Sequence, residues 1–231
     1  MNRTLQPKQT TSLSRSVLSG QSGAHSNLQR LVEKHLRTRS SRPYAPHNVD
    51  AFHAVVNAAK GRDLILDAGC GTGDSTLVLA RRHPQAFVAG IDKSAKRLDM
   101  LAKANAAQRE PNALLVRADL VDFFRIAAAE GARVYKNYFL YPNPWPKPAH
   151  LQRRWHGAAV FREILELGGE IELRSNWKIY AEEFAMALNI AGIDSELRPL
   201  VTTDSTALTP FEKKYHASGH SLWQLCATCP A

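Results

Sequence analysis

The chain has 231 residues, 44% of them hydrophobic, which suffices for one globular domain with a sizeable core. No apolar run approaches the roughly 20 residues that a membrane-spanning helix requires, so we expect no association with a membrane. Three cysteines, an odd number, argue against a disulfide framework and predict a reducing, cytoplasmic location. Cys226 and Cys229 form a C-x-x-C with no second pair, so no metal site is expected.

Most of the formal net charge of +9 lies near the N-terminus. Residues 1–42 carry eight basic residues and one acid, a net charge of +7, which leaves +2 for the remaining residues. This asymmetry predicts a basic, disordered arm over 1–42 that is attracted to polyanions, followed by one domain over 43–231. A disordered tail that binds nothing explains the charge equally well, and a Ser- and Arg-rich, acid-poor segment is also typical of a transit peptide.

Apolar periodicity predicts the elements in chain order. Residues 1–25 have a disordered composition, and helical spacing follows over 27–37 and 48–59. Strands and helices then alternate to the end of the chain. The strands are predicted near 64–67, 86–91, 113–117, 134–141, 170–174, 195–202 and 221–227, and the intervening helices over 74–82, 94–108, 120–130, 151–167 and 176–191. Repeated βα units predict an α/β fold whose mostly parallel sheet has helices on both faces.

A glycine-rich stretch follows the first predicted strand. The strand ends at Asp67, and Gly69, Gly71 and Gly73 follow at alternate positions before an amphipathic helix. A strand, a tight glycine turn and a helix form a nucleotide-binding unit, because glycine lets the backbone approach a ligand closely. Asp92 ends the next strand, where a carboxylate can accept from both ribose hydroxyls. A dinucleotide site and a purely structural turn are the alternatives.

The pattern Asp67-x-Gly-x-Gly-x-Gly resembles the first motif of class I S-adenosylmethionine (SAM) methyltransferases. Asp119 ends the third strand, where its carboxylate can accept from the exocyclic amine of adenine in such a cofactor. The alternative for Asp119 is an N-cap of the helix that starts at Leu120.

A proline-rich loop follows the fourth strand. Four prolines within residues 142–148 restrict the backbone, so the side chains between them have little entropy left to lose. Trp145 can stack on a base there, and Lys147, Arg153 and Arg154 can contact phosphates. The alternative is a rigid loop whose Trp145 packs on the core. A later run, Thr209-Pro210-Phe211-Glu212, joins a hydroxyl, an aromatic ring and an acid, and by itself also fits a helix start with a threonine cap.

Taken in order over about residues 60–228, these motifs resemble the bacterial tRNA (guanine-N7)-methyltransferases. The resemblance rests on Asp67-x-Gly-x-Gly-x-Gly, Asp92, Asp119, Phe139-Leu140-Tyr141-Pro142-Asn143-Pro144-Trp145-Pro146-Lys147, Arg153-Arg154, Asn176-Trp177-x-x-Tyr180-Ala181-Glu182, Thr209-x-Phe211-Glu212 and Gly219-His220-x-x-Trp223. The proline loop and the late T-x-F-E are far more specific than the glycine motif.

The resemblance implies a Rossmann-like class I methyltransferase fold, with a seven-stranded, mostly parallel sheet and an antiparallel last strand. It implies SAM as cofactor, tRNA as partner and a monomer or small homo-oligomer. The cofactor-binding residues would be Asp67, Gly69, Gly71, Gly73, Asp92, Asp119 and Asn143. The catalytic residues would be Asn143 and Trp145. The substrate-binding residues would be Lys147, Arg153, Arg154, Asn176, Thr209, Phe211 and Glu212.

Two positions depart from the family pattern, which has aspartate where this chain has Asn143 and Asn176. An amide stabilises a cationic product less than a carboxylate does, and it can donate as well as accept. Both changes are expected to weaken the specificity for guanine and leave the predicted aspartates and glycines of the cofactor site unchanged. The Asn143-Pro144-Trp145 run is also similar to the N-P-P-aromatic motif of methyltransferases that act on exocyclic amines. Activity on another base, or a weakened paralogue that binds SAM or RNA, would also fit the two asparagines.

Overall fold

The computed structural model describes residues 14–104 and 110–230. The strands are β1 (Leu64–Ala68), β2 (Phe87–Asp92), β3 (Ala113–Arg117), β4 (Lys136–Leu140), β5 (Gly169–Ser175), β6 (Ser195–Pro199) and β7 (Trp223–Cys229). The helices are α1 (Leu28–Arg37), α2 (Pro46–Ala59), α3 (Asp74–Arg82), α4 (Ala95–Ala104), α5 (Leu120–Ala129), α6 (Phe161–Glu166), α7 (Lys178–Ile190) and α8 (Pro210–Ala217). Among these residues, no helix is long and apolar enough to cross a bilayer.

The strands form one sheet in the order β3-β2-β1-β4-β5-β7-β6. All neighbouring strands run parallel except β7, which is antiparallel to both β5 and β6. The predicted seven-stranded sheet with its antiparallel last strand is therefore confirmed. The strand order reverses between β1 and β4, and ligands of such sheets bind outside the carboxyl ends of the strands at this reversal.

Helices cover both faces of the sheet, and β1 contributes to both sides of the core. Every residue of β1 is buried. Leu64 and Leu66 belong to the larger apolar cluster, whereas Ile65 belongs to a second cluster with Leu79 and Leu208. Successive side chains of a strand point to opposite faces, so a strand covered on both faces is apolar throughout. This explains the unbroken apolar run before Asp67.

Helix α1 packs on the domain, which corrects the predicted arm over 1–42 for this part of the chain. The predicted helix over 27–37 is present, and its Leu28 and Val32 are buried in the larger cluster. The basic residues Arg30, Lys34 and Arg37 are therefore carried by a docked helix rather than by a disordered tail.

Residues 14–25, predicted to be disordered, also contact the domain, since Gln21 and His25 both donate to Glu183. Residues 1–13 of the predicted arm lie outside the described residues.

The predicted long helix over 151–167 is wrong. Two short 3₁₀ helices, Pro148–Arg153 and Trp155–Gly157, precede the short α6. A Cβ on Gly157 would lie 2.3 Å from the carbonyl oxygen of Leu151, so the two 3₁₀ turns pack closely against each other. The side chains of Arg154 and His156 are fully buried between them and α7. Tertiary contacts thus override the helical spacing of the sequence.

Candidate active site

The loop between β1 and α3 has the backbone of a ligand-binding turn. Gly69, Gly71 and Gly73 have φ angles of 84°, 60° and 88°, in the left-handed region that favours glycine. The N–H groups of Gly69 and Cys70 donate to the carbonyl of Ile91, which fixes the loop against the end of β2. A Cβ on Gly71 would meet no atom within 4 Å, so open space lies beside this glycine.

Asp67 lies beneath this loop. Its carboxylate is 1% exposed and accepts from the hydroxyls of Ser75 and Thr76 at 2.6 and 2.7 Å. Burial raises the pKa of Asp67 to about 6, against the opposing effect of the two hydroxyl bonds. Asp67 therefore joins β1 to the first turn of α3 and positions the loop.

Asp92 connects the end of β2 to the glycine loop. Its Oδ2 accepts from the N–H of Gly71 at 3.0 Å, and its Oδ1 accepts from the N–H of Ser94 at 2.8 Å. A carboxylate oxygen accepts up to two hydrogen bonds, so Oδ1 keeps one acceptor site, whereas Oδ2 has a second donor in Arg97. Arg97 places Nη1 3.5 Å from Oδ2. The geometry leaves Asp92 able to accept from a ligand hydroxyl.

Asp119 is the N-cap of α5, so the capping role that its position before Leu120 allows is confirmed. Its carboxylate accepts from the N–H of Val121 at 2.9 Å, and its own N–H donates to Oδ1 of Asn48 at 3.0 Å. Its side chain is half-buried at the carboxyl end of β3. A cap uses one acceptor site, so capping leaves the other oxygen available.

Arg154 is an internal anchor, and its predicted contact with phosphate is wrong. The residue has no exposed surface. Its guanidinium forms an ion pair with Glu183 and donates to the carbonyl of Trp145 at 3.0 Å and to Oε1 of Gln21 at 2.5 Å. Arg154 therefore fastens the proline loop and the N-terminal segment to α7.

Glu183 is the acceptor at the centre of this anchor. Besides Arg154, it accepts from His156 Nε2 and from the N–H of His25, both at 2.9 Å. Burial raises the pKa of Glu183, but the bonds from His156, Arg154 and Gln21 outweigh burial and hold the pKa at about 2. Glu183 is thus ionised at neutral pH.

The proline loop presents its predicted site residues to solvent. Asn143, Lys147 and Arg153 are exposed. Trp145 is half-buried, and the guanidinium carbon of Arg153 lies 4.6 Å from the centroid of its ring. The backbone N–H of Trp145 donates to Oδ1 of Asn143 at 3.4 Å. Tyr141 and Trp145 have φ angles of 51° and 46°, which are strained for residues other than glycine. Strained backbone thus flanks Asn143 on both sides.

The Thr209–Glu212 run begins α8. The Thr209 hydroxyl caps the helix by accepting from the N–H of Glu212 at 2.9 Å, as expected of a helix start with a threonine cap. Glu212 has no exposed surface, forms an ion pair with Arg174 at 2.8 Å and accepts from the Thr202 hydroxyl at 3.0 Å. The predicted substrate contact of Glu212 is therefore wrong in this structure, and the buried Thr209 serves as a cap. Phe211 is 59% exposed and remains available for contact.

Aromatic rings connect α8 to the ends of β4 and β5. The ring centroid of Tyr215 lies 6.2 Å from that of Phe211 and 5.4 Å from that of Tyr141. Tyr215 also stacks on His220, with 5.2 Å between the ring centroids and 15° between the planes. Nδ1 of His220 lies 3.2 Å from Nδ2 of Asn176, which directly follows β5. The structure thus brings Asn176, Phe211 and the proline loop to one edge of the sheet.

Comparison with known proteins agrees with this geometry. Residues 61–225 match the family described as "Putative methyltransferase". The chain belongs to this methyltransferase family. It is an enzyme, and its sheet is that of the class I SAM-dependent methyltransferases.

Curated relatives of the methyltransferase carry the name tRNA (guanine-N(7)-)-methyltransferase, which confirms the resemblance seen in the sequence. The protein of Saccharophagus degradans is 29% identical over 195 residues, which cover 78% of this chain and 83% of that protein. The protein of Shewanella oneidensis is 27% identical over 191 residues, which cover 79% of this chain and 78% of that protein.

Solved structures similar to the methyltransferase agree with its fold. The 16S rRNA methyltransferase KamB aligns with a TM-score of 0.56 and 18% identity, over 84% of this chain and 99% of that one. A tryptophan variant of the 16S rRNA (adenine(1408)-N(1))-methyltransferase of Catenulisporales acidiphilia, solved with its cosubstrate SAM, aligns with a TM-score of 0.54 and 19% identity, over 79% and 91% of the two chains.

Several residues that shape the site of the methyltransferase are not evident from the sequence. Asn48, Gln21 and Glu183 act through side-chain bonds across long stretches of chain, and no local pattern signals such bonds. Gly90 has a packing role, because a Cβ there would lie 2.3 Å from Oγ1 of Thr76. His220 has a signal in the Gly219-His220 motif, although the motif does not reveal its partner.

Proposed function

We propose that the methyltransferase transfers a methyl group from SAM to N7 of a guanine in tRNA. The observation that carries this proposal is the shared position of three features. The glycine loop, the exposed Asn143 side chain and the half-buried Asn176 all lie at the carboxyl edge of the sheet, beside the reversal of strand order. The names of the curated relatives support the same substrate.

The glycine loop fits the proposed cofactor. The open space beside Gly71 admits a ligand close to the backbone, and any larger residue would fill this space. Asp92 would hold a ribose hydroxyl through its remaining acceptor site, and Asp119 would accept from the adenine amine. SAM supplies an activated methyl group on its sulfonium when bound there.

The residues of the site suit a reaction that needs no general base. Guanine N7 offers its lone pair directly, so no proton must leave before the methyl group is transferred. The protein must orient the ring and stabilise the positive charge that the ring acquires. The amide oxygen of Asn143 would face this charge, and Trp145 would stack on a base.

A basic surface beside the proline loop suits the RNA backbone. Arg30 and Lys34 of α1 line a cavity of about 400 Å³ together with Pro148 and Gln152. The 3₁₀ helix Pro148–Arg153 forms the other wall; the exposed Lys147 precedes it and the exposed Arg153 ends it. We assign phosphate contacts to these four cations, in place of the buried Arg154.

Incubation with methyl-labelled SAM and unmodified tRNA, followed by mass analysis of the nucleosides, tests the proposal. We expect label in 7-methylguanosine and none with the Asp92→Ala variant, which lacks the ribose acceptor. Label in another nucleoside would contradict guanine N7 as the acceptor and favour an exocyclic amine through the Asn143-Pro144-Trp145 run. Measurable SAM binding without label on tRNA would contradict the proposed substrate.

A further inference from the structure

The side chain of Asn176 is held by a histidine that the proposed chemistry does not otherwise use. Nδ2 of Asn176 lies 3.2 Å from Nδ1 of His220, and Nε2 of His220 lies 3.0 Å from the carbonyl oxygen of Ser14. The three residues come from the end of β5, from the loop between α8 and β7, and from the N-terminal segment. His220 thus bridges the N-terminal segment to the predicted base site.

The partners of His220 determine which of its nitrogens carries the proton. The carbonyl of Ser14 can only accept, so Nε2 of His220 must donate and carries the hydrogen. In a neutral imidazole, Nδ1 then has a lone pair and can only accept. The group of Asn176 that faces Nδ1 must be a donor, and its amide nitrogen is the only donor that this side chain has.

The amide oxygen of Asn176 therefore points away from His220. Among the described residues, Oδ1 of Asn176 has no hydrogen-bond partner, and the side chain is half-buried at the carboxyl edge of the sheet. A free amide could rotate and present either group, but the histidine removes this freedom. Asn176 presents a fixed acceptor, which is the hydrogen-bonding character that the family's aspartate would have.

Neighbouring contacts hold the histidine ring and its carbonyl partner in place. Tyr215 stacks on His220 at 5.2 Å with 15° between the planes. The N–H of Ser14 donates to the Ser218 hydroxyl at 2.9 Å, which holds the residue whose carbonyl accepts from His220. The ring plane and Nε2 are thus constrained by residues outside the base site, and Nδ1 faces Asn176.

We propose that His220 is a positioning residue that orients the Asn176 amide so that its oxygen selects guanine. This inference rests on the proposed function. The N1–H and N2–H groups of guanine are donors on one edge of the ring, and Oδ1 of Asn176 accepts from this edge. Adenine has an acceptor at N1, which would face the oxygen without a hydrogen bond. A polar site that is paired only by the correct base discriminates strongly against the others.

The test compares target nucleosides that lack one donor each. Inosine lacks the N2 amine and 2-aminopurine lacks N1–H, and both keep N7. With tRNA carrying one of these at the methylated position, we expect the wild type to prefer guanosine in kcat/KM. His220→Ala should reduce this preference by about tenfold, because the amide of Asn176 is then free to rotate. His220→Gln should restore it, since a glutamine amide can accept from Asn176 and donate to Ser14.

Controls separate positioning from folding and from cofactor binding. His216 is an exposed histidine on α8, so His216→Ala should leave the base preference unchanged. The Kd for SAM should be the same in the wild type and the His220 variants. If folded His220→Ala kept the wild-type preference for guanosine over both analogues, the inference would be overturned. Guanine methylation itself would be unaffected by this result.

A second measurement does not depend on activity. Nitrogen NMR of histidine-labelled protein at pH 7.5, with His220→Gln used to assign the signal, reports which ring nitrogen is protonated. The inference requires a neutral ring with hydrogen on Nε2. A proton on Nδ1 would overturn it even if 7-methylguanosine forms. Failure of the wild type to form 7-methylguanosine would instead contradict the proposed function.

Discussion

At the scale of single residues, two aspartates near the cofactor site have different roles because their surroundings differ. Asp67 is covered and bonded by hydroxyls, whereas Asp92 is held by backbone N–H groups at the ligand side of the loop. Burial without a cation disfavours the charged form, so the pKa of Asp67 rises to about 6. Asp67 therefore gives the domain a measurable dependence on pH.

We predict that Asp67→Asn changes how stability varies with pH. The pKa of Asp67 is higher in the folded state than in the unfolded state, so its stabilising contribution is complete below about pH 4 and is lost as pH rises through about 6. A shift of about two pKa units corresponds to about 3 kcal/mol. Asparagine keeps the acceptor for Ser75 and Thr76 without the charge.

Urea denaturation at pH 4.5 and 7.5 checks this prediction. From pH 4.5 to pH 7.5, the free energy of unfolding of the wild type should fall relative to that of Asp67→Asn by up to about 3 kcal/mol. The exposed Asp99, on α4, supplies the matched control Asp99→Asn, for which no comparable gain is expected. A difference between Asp67→Asn and the wild type that does not vary with pH would contradict the assignment.

At the scale of elements, the sequence predicts those helices, strands and loops whose structure depends on residues close together in the chain. The mostly parallel sheet follows from alternating strands and helices, and the glycine loop follows from its spacing, whereas the strand order does not follow from either. The segment 148–167 departs from its predicted helix because its structure depends on Arg154, whose partner Glu183 lies on another helix. Adjacent arginines have the same appearance in a sequence, yet Arg153 is exposed and Arg154 is buried. Thr209 shows the opposite case, since its capping role is evident from local spacing.

We predict that Arg154→Met and Arg153→Met separate stability from RNA binding. Loss of Arg154 leaves the Glu183 carboxylate buried without its main cation, which should cost about 3–5 kcal/mol in the free energy of unfolding. Arg153→Met should change stability by less than about 0.5 kcal/mol, because the residue is exposed, and should weaken binding to tRNA. Chemical denaturation and filter binding measure the two effects.

The double variant Arg154→Met with Glu183→Gln provides the control for the ion pair. Removing both charges should recover part of the stability that Arg154→Met loses, because the uncompensated carboxylate is gone. Equal stability of the Arg153→Met and Arg154→Met variants would show that the anchor does not hold the proline loop.

At the scale of the whole molecule, the basic charge of α1 is part of the folded domain. Helix α1 is docked through Leu28 and Val32, so deleting residues 1–42 would remove core contacts as well as charge. Substitution of exposed cations is the cleaner test of RNA binding. Arg30 and Lys34 line the same cavity as the 3₁₀ helix after the proline loop, which places charge from distant parts of the chain on one surface.

We predict that Arg30→Gln with Lys34→Gln lowers the salt dependence of tRNA binding. Removal of one cation from a phosphate should reduce the slope of log K against log salt by about 1, so the double variant should have a slope smaller by about 2. Arg133 is exposed before the amino end of β4, at the opposite edge of the sheet, and Arg133→Gln should leave the slope unchanged. A slope equal to that of the wild type in the double variant would exclude this surface from the interface.

The measurement that tests the central claim most directly uses a tRNA with 7-deazaguanosine at the methylated position. Carbon replaces N7 in this nucleoside, while the donors on its opposite edge remain, so binding through Asn176 is preserved. The account predicts rapid methyl transfer to the guanosine tRNA and none to the 7-deazaguanosine tRNA, which should act as a competitive inhibitor. Equal incorporation of label into both RNAs would contradict N7 of that guanine as the acceptor atom.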